Sequence, residues 1–390
     1  MIRILQLVHH LGMGGVQKTL VEQFRHLNRA RFQMDFLVER EEPGGFYEEL
    51  RTLGGRIFVG WPASSPFRQV RRFKQVVHEQ GPYQVVHCHF MGFGLLVKVA
   101  AGLGIPIRIV HCHSDIRQRK QRRLLDHLYL RGLLHVSRWY STHRLAVSPM
   151  AAESYFGRDW QQDPSCQLIF PCRDYSVFRV PVDRAAVHAE FALPVDAFVV
   201  GHVGRLCEPK NHRFLVRIAA ELARVEPRTH FLLVGGGPLE PELRAAVTVA
   251  GLEARVHFAG MRSDVPRLLG ACDRFVLPSL YEGLPSALIE AQAAGLFCVF
   301  SDVIANEAAI VSELTRPLPL AASPAAWAAA ILAGPAPGCV LSQAEALARI
   351  EASPFAVQQS MRQLEAIYSD SGGRDQPVRP VREHGDTQAG

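Results

Sequence analysis

The chain has 390 residues, of which 48% are hydrophobic and 21% charged, a balance typical of a soluble globular protein. This length is too great for one ordinary domain and fits two domains of about 150–200 residues. Since no apolar run reaches about 18 residues and the first strand lacks a signal-peptide pattern, we expect a cytoplasmic protein without a transmembrane helix.

The charge is basic, with 43 Lys and Arg against 37 Asp and Glu and a net charge of +6. Such a surface suits phosphate groups, whether of lipids, nucleotides or nucleic acid, and does not choose among them. The eight cysteines are scattered and form no Cys-x-x-Cys pair. They indicate free thiols and not a disulfide framework.

Along the first half of the chain, short apolar strands alternate with amphipathic helices. Strands are predicted at residues 2–8, 33–38, 55–59, 84–89, 107–112 and 144–147, and helices at 16–27, 46–53, 66–80, 94–103 and 119–141. The second half repeats the pattern, with strands at 198–203, 230–234, 256–259, 274–277 and 297–300. This alternation predicts an α/β protein with two Rossmann-like parallel sheets, one in each domain.

The predicted domains are 1–180 and 195–352, followed by a helix within 353–370 and a tail, 371–390, that has almost no apolar content and is expected to be disordered. Open parallel sheets bind ligands at the carboxyl ends of their strands. Two such sheets that face each other would therefore form a ligand-binding cleft.

Two glutamates eight positions apart, Glu282 and Glu290, follow the predicted strand at 274–277. The first lies in a loop, and the second lies in a helix predicted at 287–294 with Pro285 in its first turn. Gly283 allows a ligand close to the backbone, and the helix N-terminus suits phosphate. Glutamates on a surface helix are usually only solvated charges. Here one carboxylate can contact a sugar hydroxyl and the other a ribose.

Three glycine-rich turns follow other predicted strands. In the turn at 202–212, Gly204 permits a tight bend, Arg205 and Lys210 can approach an anion, and Asn211 can cap the next helix. The turns at 11–17 and 233–239 can direct backbone N–H groups at a phosphate or an acceptor. Alone, each turn also fits a simple bend with solvated side chains.

Histidines flank a cysteine at the ends of two predicted strands, in His87-Cys88-His89 and His111-Cys112-His113. Alternation along a strand sends each cysteine to the face opposite its neighbours. Four inward histidines would need the two strands to converge tightly, so we expect no zinc site. His113 is predicted to end its strand in the cleft, while His89 lines the acceptor side or is structural.

Five cations lie within seven residues just after that strand: Arg117, Arg119, Lys120, Arg122 and Arg123. A solvated helix face and a binding surface fit them equally well. With the basic helix at 66–80, they could attract an anionic membrane or the diphosphate of a lipid-linked acceptor. Nucleic acid is not expected, because no aromatic residues are interleaved with these cations.

The spacing of Glu282 and Glu290 resembles the Glu-x7-Glu signature of the retaining glycosyltransferases of family 4, which have the GT-B fold of two Rossmann-like domains facing across a cleft. The segment from Gly204 to Asn211 resembles that family's Gly-Arg-Leu-x-x-x-Lys-Asn motif. The resemblance implies that Glu282 lies by the donor sugar and Glu290 binds the ribose. It also implies that two cations of the second motif neutralise the leaving diphosphate in place of a metal ion.

The same resemblance implies further roles. His113 matches the active-site histidine that contacts the donor sugar, and the helix within 353–370 crosses back to the N-terminal domain. Catalysis would rest on His113, Arg205, Lys210 and Glu282. Donor and nucleotide binding would rest on Gly14, Gly15, Gly204, Gly236, Gly283, Leu284, Pro285 and Glu290.

The expected enzyme is a metal-independent, retaining glycosyltransferase without a cofactor, using a UDP- or GDP-sugar. Its acceptor would be a growing, lipid-linked glycan in bacterial exopolysaccharide or cell-surface polysaccharide synthesis, with peripheral contact to the inner face of an anionic membrane. Two alternatives stay open. One is a GT-B nucleotide-sugar epimerase, which would turn over the donor alone. The other is a non-catalytic nucleotide-sugar-binding subunit of a glycan assembly complex.

Overall fold

The computed structural model describes residues 1–370 except 13–14, 42–44, 61–64, 90–93, 114–123, 283–284, 305, 337 and 339–340. For 124–131 and 306 it describes the backbone alone. The chain divides into two compact units: the first contains Met1–Arg173 and the chain from Val357 onward, and the second contains Asp174–Ala356. The predicted disordered tail, 371–390, lies outside the described residues.

Thirteen strands are described: β1 Ile2–Val8, β2 Phe32–Val38, β3 Ile57–Val59, β4 Val85–Cys88, β5 Ile107–Cys112, β6 His143–Ala146, β7 Cys166–Leu168, β8 Phe198–Val203, β9 Thr229–Val234, β10 Val256–Gly260, β11 Arg274–Leu277, β12 Phe297–Ser301 and β13 Thr315–Leu318. The first unit has a seven-stranded sheet in the order β3-β2-β1-β4-β5-β6-β7, and the second a six-stranded sheet in the order β10-β9-β8-β11-β12-β13. All the strand pairings of both sheets are parallel. The predicted pair of Rossmann-like parallel sheets is confirmed.

The described α-helices are α1 Gly15–His26, α2 Tyr47–Thr52, α3 Pro66–Gln80, α4 Gly94–Gly102, α5 Leu124–Tyr140, α6 Pro149–Phe156, α7 Arg184–Glu190, α8 His212–Val225, α9 Glu240–Val249, α10 Val265–Leu269, α11 Ser286–Ala293, α12 Pro324–Ala333, α13 Gln343–Ala352 and α14 Val357–Tyr368. Among the residues described, no helix is both long and apolar enough to cross a membrane. The seven described cysteines are free thiols, in agreement with the sequence.

The first sheet is buried on both faces, which explains its near-continuous apolar strands. One face packs against α1 and α14, whose Phe24 and Leu364 share a single cluster of buried side chains. The other face packs against α3 and α4 through Phe73 and Leu96. Helix α14 therefore belongs to the core of the first unit, although it follows the whole second unit in the chain.

The second sheet is held by a similar apolar core. Phe214 of α8 and Trp327 of α12 meet edge to face, with ring centroids 5.6 Å apart. The amphipathic spacing of α8 buries Leu215, Ile218 and Leu222 along one side of the helix. These contacts hold β8, which precedes α8 and carries part of the candidate site at its carboxyl end.

The elements that the sequence analysis missed include the helix α6 and the strands β7 and β13. The two strands are short and terminate their sheets, where a strand needs partners on one side only. β13 contains Arg316 and Pro317, residues that argue against a central strand but are tolerated at an edge. Their pairing with β6 and β12 decides their conformation, and the local sequence carries little sign of it.

Candidate functional site

In the second unit, two sequence-distant residues meet at the carboxyl edge of the sheet. Lys210 follows β8 and Glu282 follows β11, and these strands are neighbours. The Nζ atom of Lys210 lies 2.5 Å from Oε1 of Glu282. The backbone N–H of Leu280 donates to the carbonyl of Pro209 at 2.8 Å, which joins the two loops. Lys210 and Glu282 were predicted to have separate roles, and their ion pair was not predicted.

A serine that the sequence analysis missed supports this pair. The hydroxyl of Ser279 donates to the same Oε1 of Glu282 at 2.7 Å. Ser279 is itself held by Ser301, whose hydroxyl donates to the Ser279 carbonyl at 2.6 Å. Both serines are fully buried. The carboxylate therefore has a fixed position, with one oxygen shared between a hydroxyl and an ammonium group.

The side chains of Lys210 and Glu282 are only 17% and 11% exposed. Burial strengthens their attraction and also makes each charge dependent on its partner. Arg205 lies in the same loop as Lys210 and is exposed. The edge therefore offers one exposed cation next to a nearly buried ion pair.

The glycines of the two turns in this unit have a packing role. A Cβ atom on Gly235 would lie 2.1 Å from the carbonyl oxygen of Gly204, and one on Gly237 would lie 2.4 Å from the carbonyl oxygen of Leu206. The N–H of Leu206 donates to the carbonyl of Gly236 at 3.0 Å. The turns after β8 and β9 thus pack backbone against backbone, which requires residues without side chains. The predicted nucleotide contact of Gly236 stays a prediction.

Two local predictions are wrong in detail. Asn211 precedes α8 with a left-handed backbone, φ 54°, and its side chain makes no capping hydrogen bond. Asn tolerates this conformation better than most residues, so the position suits the backbone bend and not a side-chain cap. Pro285 is the N-cap residue of α11 and does not lie in its first turn.

Gly283 and Leu284 lie outside the described residues, whereas Glu290 lies within α11 and is partly exposed.

A buried histidine beneath the first of these turns was also missed. His202 in β8 donates from Nδ1 to the carbonyl of Val276 at 2.9 Å. Burial lowers its pKa well below the usual value, and the nearby His212 and Lys210 lower it further. His202 is therefore uncharged, and its bond to Val276 joins β8 to β11 just before the loop that contains Arg205 and Lys210.

In the first unit, the four predicted histidines form one cluster. β4 and β5 are paired neighbours, so His87, His89, His111 and His113 lie side by side at their carboxyl ends. The rings of His87 and His89 stack with centroids 4.2 Å apart, and those of His111 and His113 are 4.3 Å apart.

The cysteines between these histidines, Cys88 and Cys112, point into the core on the opposite face, as alternation predicted. The expectation that the two strands would not converge is wrong, because they are adjacent in the sheet. Ring nitrogens of His87, His89 and His111 all lie within 4.8 Å of one another, close enough for a metal ion. The absence of a metal site remains a prediction.

The histidine cluster is electrically neutral. Burial lowers the pKa of His87, His89 and His113 well below the usual value, and neighbouring histidines lower it further. Burial also lowers the pKa of His111 to about 3. At neutral pH each ring therefore carries one N–H donor and one acceptor nitrogen.

Of the other predicted site residues in the first unit, one is described by the structure and the rest lie outside the described residues. Gly15 is the exposed first residue of α1, and a Cβ atom there would meet nothing within 4 Å. Gly14 and the five cations Arg117, Arg119, Lys120, Arg122 and Arg123 lie outside the described residues. The basic helix α3 is described, and it exposes Arg68, Arg71 and Lys74 beside Phe67, which is 89% exposed.

Comparison with known proteins decides the family. Residues 14–164 match the family described as "Glycosyl transferase 4-like domain", and residues 197–333 match "Glycosyl transferases group 1". The chain is 31% identical over 386 residues to a putative glycosyltransferase of Bacillus subtilis (strain 168), EpsF, covering 96% of this chain and 98% of that protein. The chain belongs to the family 4 glycosyltransferases. The resemblance inferred from the two motifs is thereby confirmed.

Other relatives agree with this assignment. The chain is 26% identical to an Escherichia coli enzyme named UDP-Gal:alpha-D-GlcNAc-diphosphoundecaprenol alpha-1,3-galactosyltransferase, covering 77% of this chain and 79% of that enzyme. The fold is similar to that of Anabaena HepE, solved in complex with UDP, with a TM-score of 0.75 at 19% identity over 94% of this chain and 99% of that one. The GT-B class of this glycosyltransferase is confirmed. These relatives favour sugar transfer over the epimerase and the non-catalytic subunit.

Proposed function

We propose that this glycosyltransferase moves a sugar from a UDP- or GDP-sugar to a lipid-linked glycan, with retention of anomeric configuration and without a metal ion. The observation that carries the proposal is the arrangement of Arg205, Lys210 and Glu282 at the carboxyl edge of the second sheet. Such edges bind ligands in open α/β sheets. Two cations and a fixed carboxylate suit a substrate that has both a diphosphate and hydroxyl groups.

The cations stabilise the leaving group. When the bond between the sugar and the diphosphate breaks, negative charge develops on the phosphate oxygens, and fixed positive groups stabilise that charge in the transition state. Arg205 is exposed and Lys210 is held in place by Glu282. Together they supply the charge that a divalent metal supplies in other phosphate-binding sites.

The carboxylates orient the donor. Ser279 keeps Glu282 in position, so its second oxygen can accept a hydrogen bond from a sugar hydroxyl. Glu290, partly exposed on α11, holds the ribose. Donor and nucleotide binding is assigned to Gly204, Gly236 and Pro285 at this edge, and to Gly283 and Leu284, which lie outside the described residues. In the first unit, His113 is assigned to the donor sugar, and Gly14 and Gly15 are assigned to binding of the diphosphate and the acceptor.

A lipid-linked acceptor is supported by two observations. The name of the Escherichia coli relative gives a diphosphoundecaprenol-linked sugar as its acceptor. Helix α3 exposes Phe67 beside Arg68, Arg71 and Lys74, a combination that suits an anionic membrane surface. Exopolysaccharide or cell-surface polysaccharide synthesis is the corresponding pathway class, and the cations at 117–123 are assigned to the same anionic groups.

The donor is identified by thermal unfolding with a panel of nucleotide diphosphate sugars in the presence of a chelator. A ligand that binds the native state raises the melting temperature by mass action. One donor that raises it in chelator supports metal-independent binding. A rise that requires Mg²⁺ or Mn²⁺ would contradict the metal-free proposal.

Transfer is then measured with that donor and a synthetic diphospholipid-linked sugar. NMR of the product gives the anomeric configuration of the new bond. Retention predicts the configuration of the donor, and the opposite configuration would overturn that part of the proposal. Hydrolysis or epimerisation of the donor without transfer to any lipid-linked sugar would contradict the proposed acceptor class.

A further inference from the structure

The four histidines at the carboxyl ends of β4 and β5 are linked by hydrogen bonds through two residues outside these strands. Nδ1 of His89 lies 2.8 Å from Nε2 of His113, and Nε2 of His89 lies 2.6 Å from the side-chain oxygen of Gln6. The Gln6 amide donates to the hydroxyl of Tyr368 at 3.4 Å, and that hydroxyl lies 2.9 Å from Nδ1 of His87. Nε2 of His87 then lies 3.2 Å from Nδ1 of His111.

The Gln6 side chain determines which atom donates in each hydrogen bond of this series. An amide oxygen only accepts, so Nε2 of His89 must carry the proton that it donates to Gln6. The neutral His89 ring then has Nδ1 free to accept, and Nε2 of His113 must donate to it. His113 consequently has no proton on Nδ1.

Tyr368 holds the Gln6 amide in this orientation. Its hydroxyl accepts from the amide and can donate to Nδ1 of His87. Nε2 of the neutral His87 ring then carries a proton and donates to Nδ1 of His111. The last nitrogen, Nε2 of His111, has no hydrogen-bond partner among the described residues. Against the larger effect of burial, the backbone of Ile169 raises the pKa of His111. When Nδ1 of the neutral His111 ring accepts from His87, Nε2 of His111 carries the proton.

We propose that Gln6 and Tyr368 are positioning residues that hold His89 and His113 in the Nε2–H tautomer, so that His113 presents an unprotonated Nδ1 to the substrate. An imidazole in this state accepts a hydrogen bond from a sugar hydroxyl and cannot donate one from that nitrogen. The inference rests on the proposed role of His113 at the donor sugar. The last helix of the chain, α14, thereby acts on the site through Tyr368.

The tautomer is tested directly by long-range ¹H–¹⁵N NMR on protein with ¹⁵N-labelled histidine. The chain has 17 histidines, so the His89 and His113 signals are assigned by their loss in His89→Asn and His113→Asn. We expect both rings neutral, with the proton on Nε2, at pH 7. A proton on Nδ1 of His113 would overturn the proposal. This readout needs no enzymatic activity, so it stands apart from any failure of the proposed function.

The positioning role is tested with Gln6→Met, which keeps the length of the side chain and removes its polar atoms, and with Tyr368→Phe. We expect the His113 signal to shift toward a mixture of tautomers in both, and kcat/KM to fall about tenfold in Gln6→Met. Loss of activity with an unchanged His113 tautomer would mean a merely structural role and would overturn the proposal. Full activity with a changed tautomer would also overturn it.

Tyr83→Phe is the matched control, because it also removes a buried hydroxyl of the first unit, one that donates to Asp35 at 2.8 Å. It should leave the His113 signal unchanged and kcat/KM within about twofold. Metal analysis of the purified enzyme tests the alternative that a metal ion is bound by the histidine cluster. Stoichiometric zinc that His87→Gln removes would show that the ring nitrogens bind metal, and it would overturn the hydrogen-bonded series.

Discussion

The carboxyl edges of the two sheets carry different side chains, which suit different chemical groups of a substrate. In the second unit the edge is charged, with Arg205 exposed and Lys210 paired to Glu282. In the first unit the edge is neutral, since burial keeps the pKa of His87, His89 and His113 low. Fixed charges suit a diphosphate, whose charge grows during the reaction, whereas neutral imidazoles suit hydroxyl groups, whose charge does not change on binding.

The two edges also depend on different partners. The ion pair of the second edge is made by two loops that contact each other through short hydrogen bonds. The histidines of the first edge are held by a strand interior, through Gln6, and by α14, through Tyr368. Variants of the two edges should therefore fail in different ways, which gives a graded series of tests.

The largest effect is expected for Lys210→Met, which challenges the role of charge at the second edge. Removing a preorganised charge from the transition state should lower kcat/KM by about 10²–10³-fold. The measurement is the rate of sugar transfer with the identified donor. Arg224→Met, which removes an exposed cation of α8, should leave that rate nearly unchanged.

Stability has to be separated from chemistry in that experiment. Without Lys210, Glu282 is a largely buried carboxylate without its cation, which costs about 3–5 kcal/mol. The double variant Lys210→Met/Glu282→Gln removes both charges and should recover most of the melting temperature while activity stays low. Recovery of activity in the double variant would show that Lys210 acts only through folding.

A smaller effect is expected for Glu282→Gln, which tests the carboxylate of the same edge. The amide can still bond to Ser279, so the change is mainly the loss of charge. Hydrogen bonds to charged groups contribute about 1.5–3 kcal/mol, so kcat/KM should fall about 10–100-fold. Glu240→Gln on α9 is the control, because that carboxylate pairs with an exposed arginine. Equal activity of the two variants would contradict a substrate contact for Glu282.

The neutral edge is tested by the pH dependence of stability. The pKa of His111 is lowered to about 3 by burial, so below pH 6.5 the unfolded chain binds a proton that the folded chain does not. Stability is therefore complete above the unfolded pKa and is lost as the pH falls. From pH 7 to 5 this single ring contributes a loss of about 2 kcal/mol.

The measurement is urea unfolding at pH 7 and pH 5 for the wild type and His111→Gln. The variant cannot take up this proton, so its free energy of unfolding should fall about 2 kcal/mol less over the same interval. Both proteins keep the contributions of the other buried histidines, so the difference between them isolates His111. Identical pH dependence in the two proteins would mean that His111 is not a buried neutral ring.

The smallest effect is expected at the surface, where α3 tests whether the basic charge of the first unit serves a membrane. Each cation near an anionic bilayer contributes about 1 kcal/mol, so Lys74→Gln should weaken binding to phosphatidylglycerol vesicles about fivefold. Arg224→Gln on the second unit is the matched control. Equal binding of wild type and Lys74→Gln to these vesicles would exclude α3 from the proposed membrane surface.

Much of the fold could be read from local patterns. Strands such as β1 and β8 have the predicted bounds, because a buried parallel strand leaves a continuous apolar run between turns. The glycine turns and the two motif glutamates were likewise visible at fixed spacings. Edge strands β7 and β13 were not predicted, since their few residues pair on one side and carry no such run.

The sequence by itself determined the fold class, the family and the candidate charges at each strand end, because apolar periodicity and motif spacing are properties of neighbouring residues. Only the tertiary structure joined Lys210 to Glu282 across 72 positions, and Tyr368 to His87 across 281. Strand order decides which turns meet at one edge, and burial decides which titratable groups stay neutral. Both depend on contacts between segments that are remote in the chain, which no local pattern records.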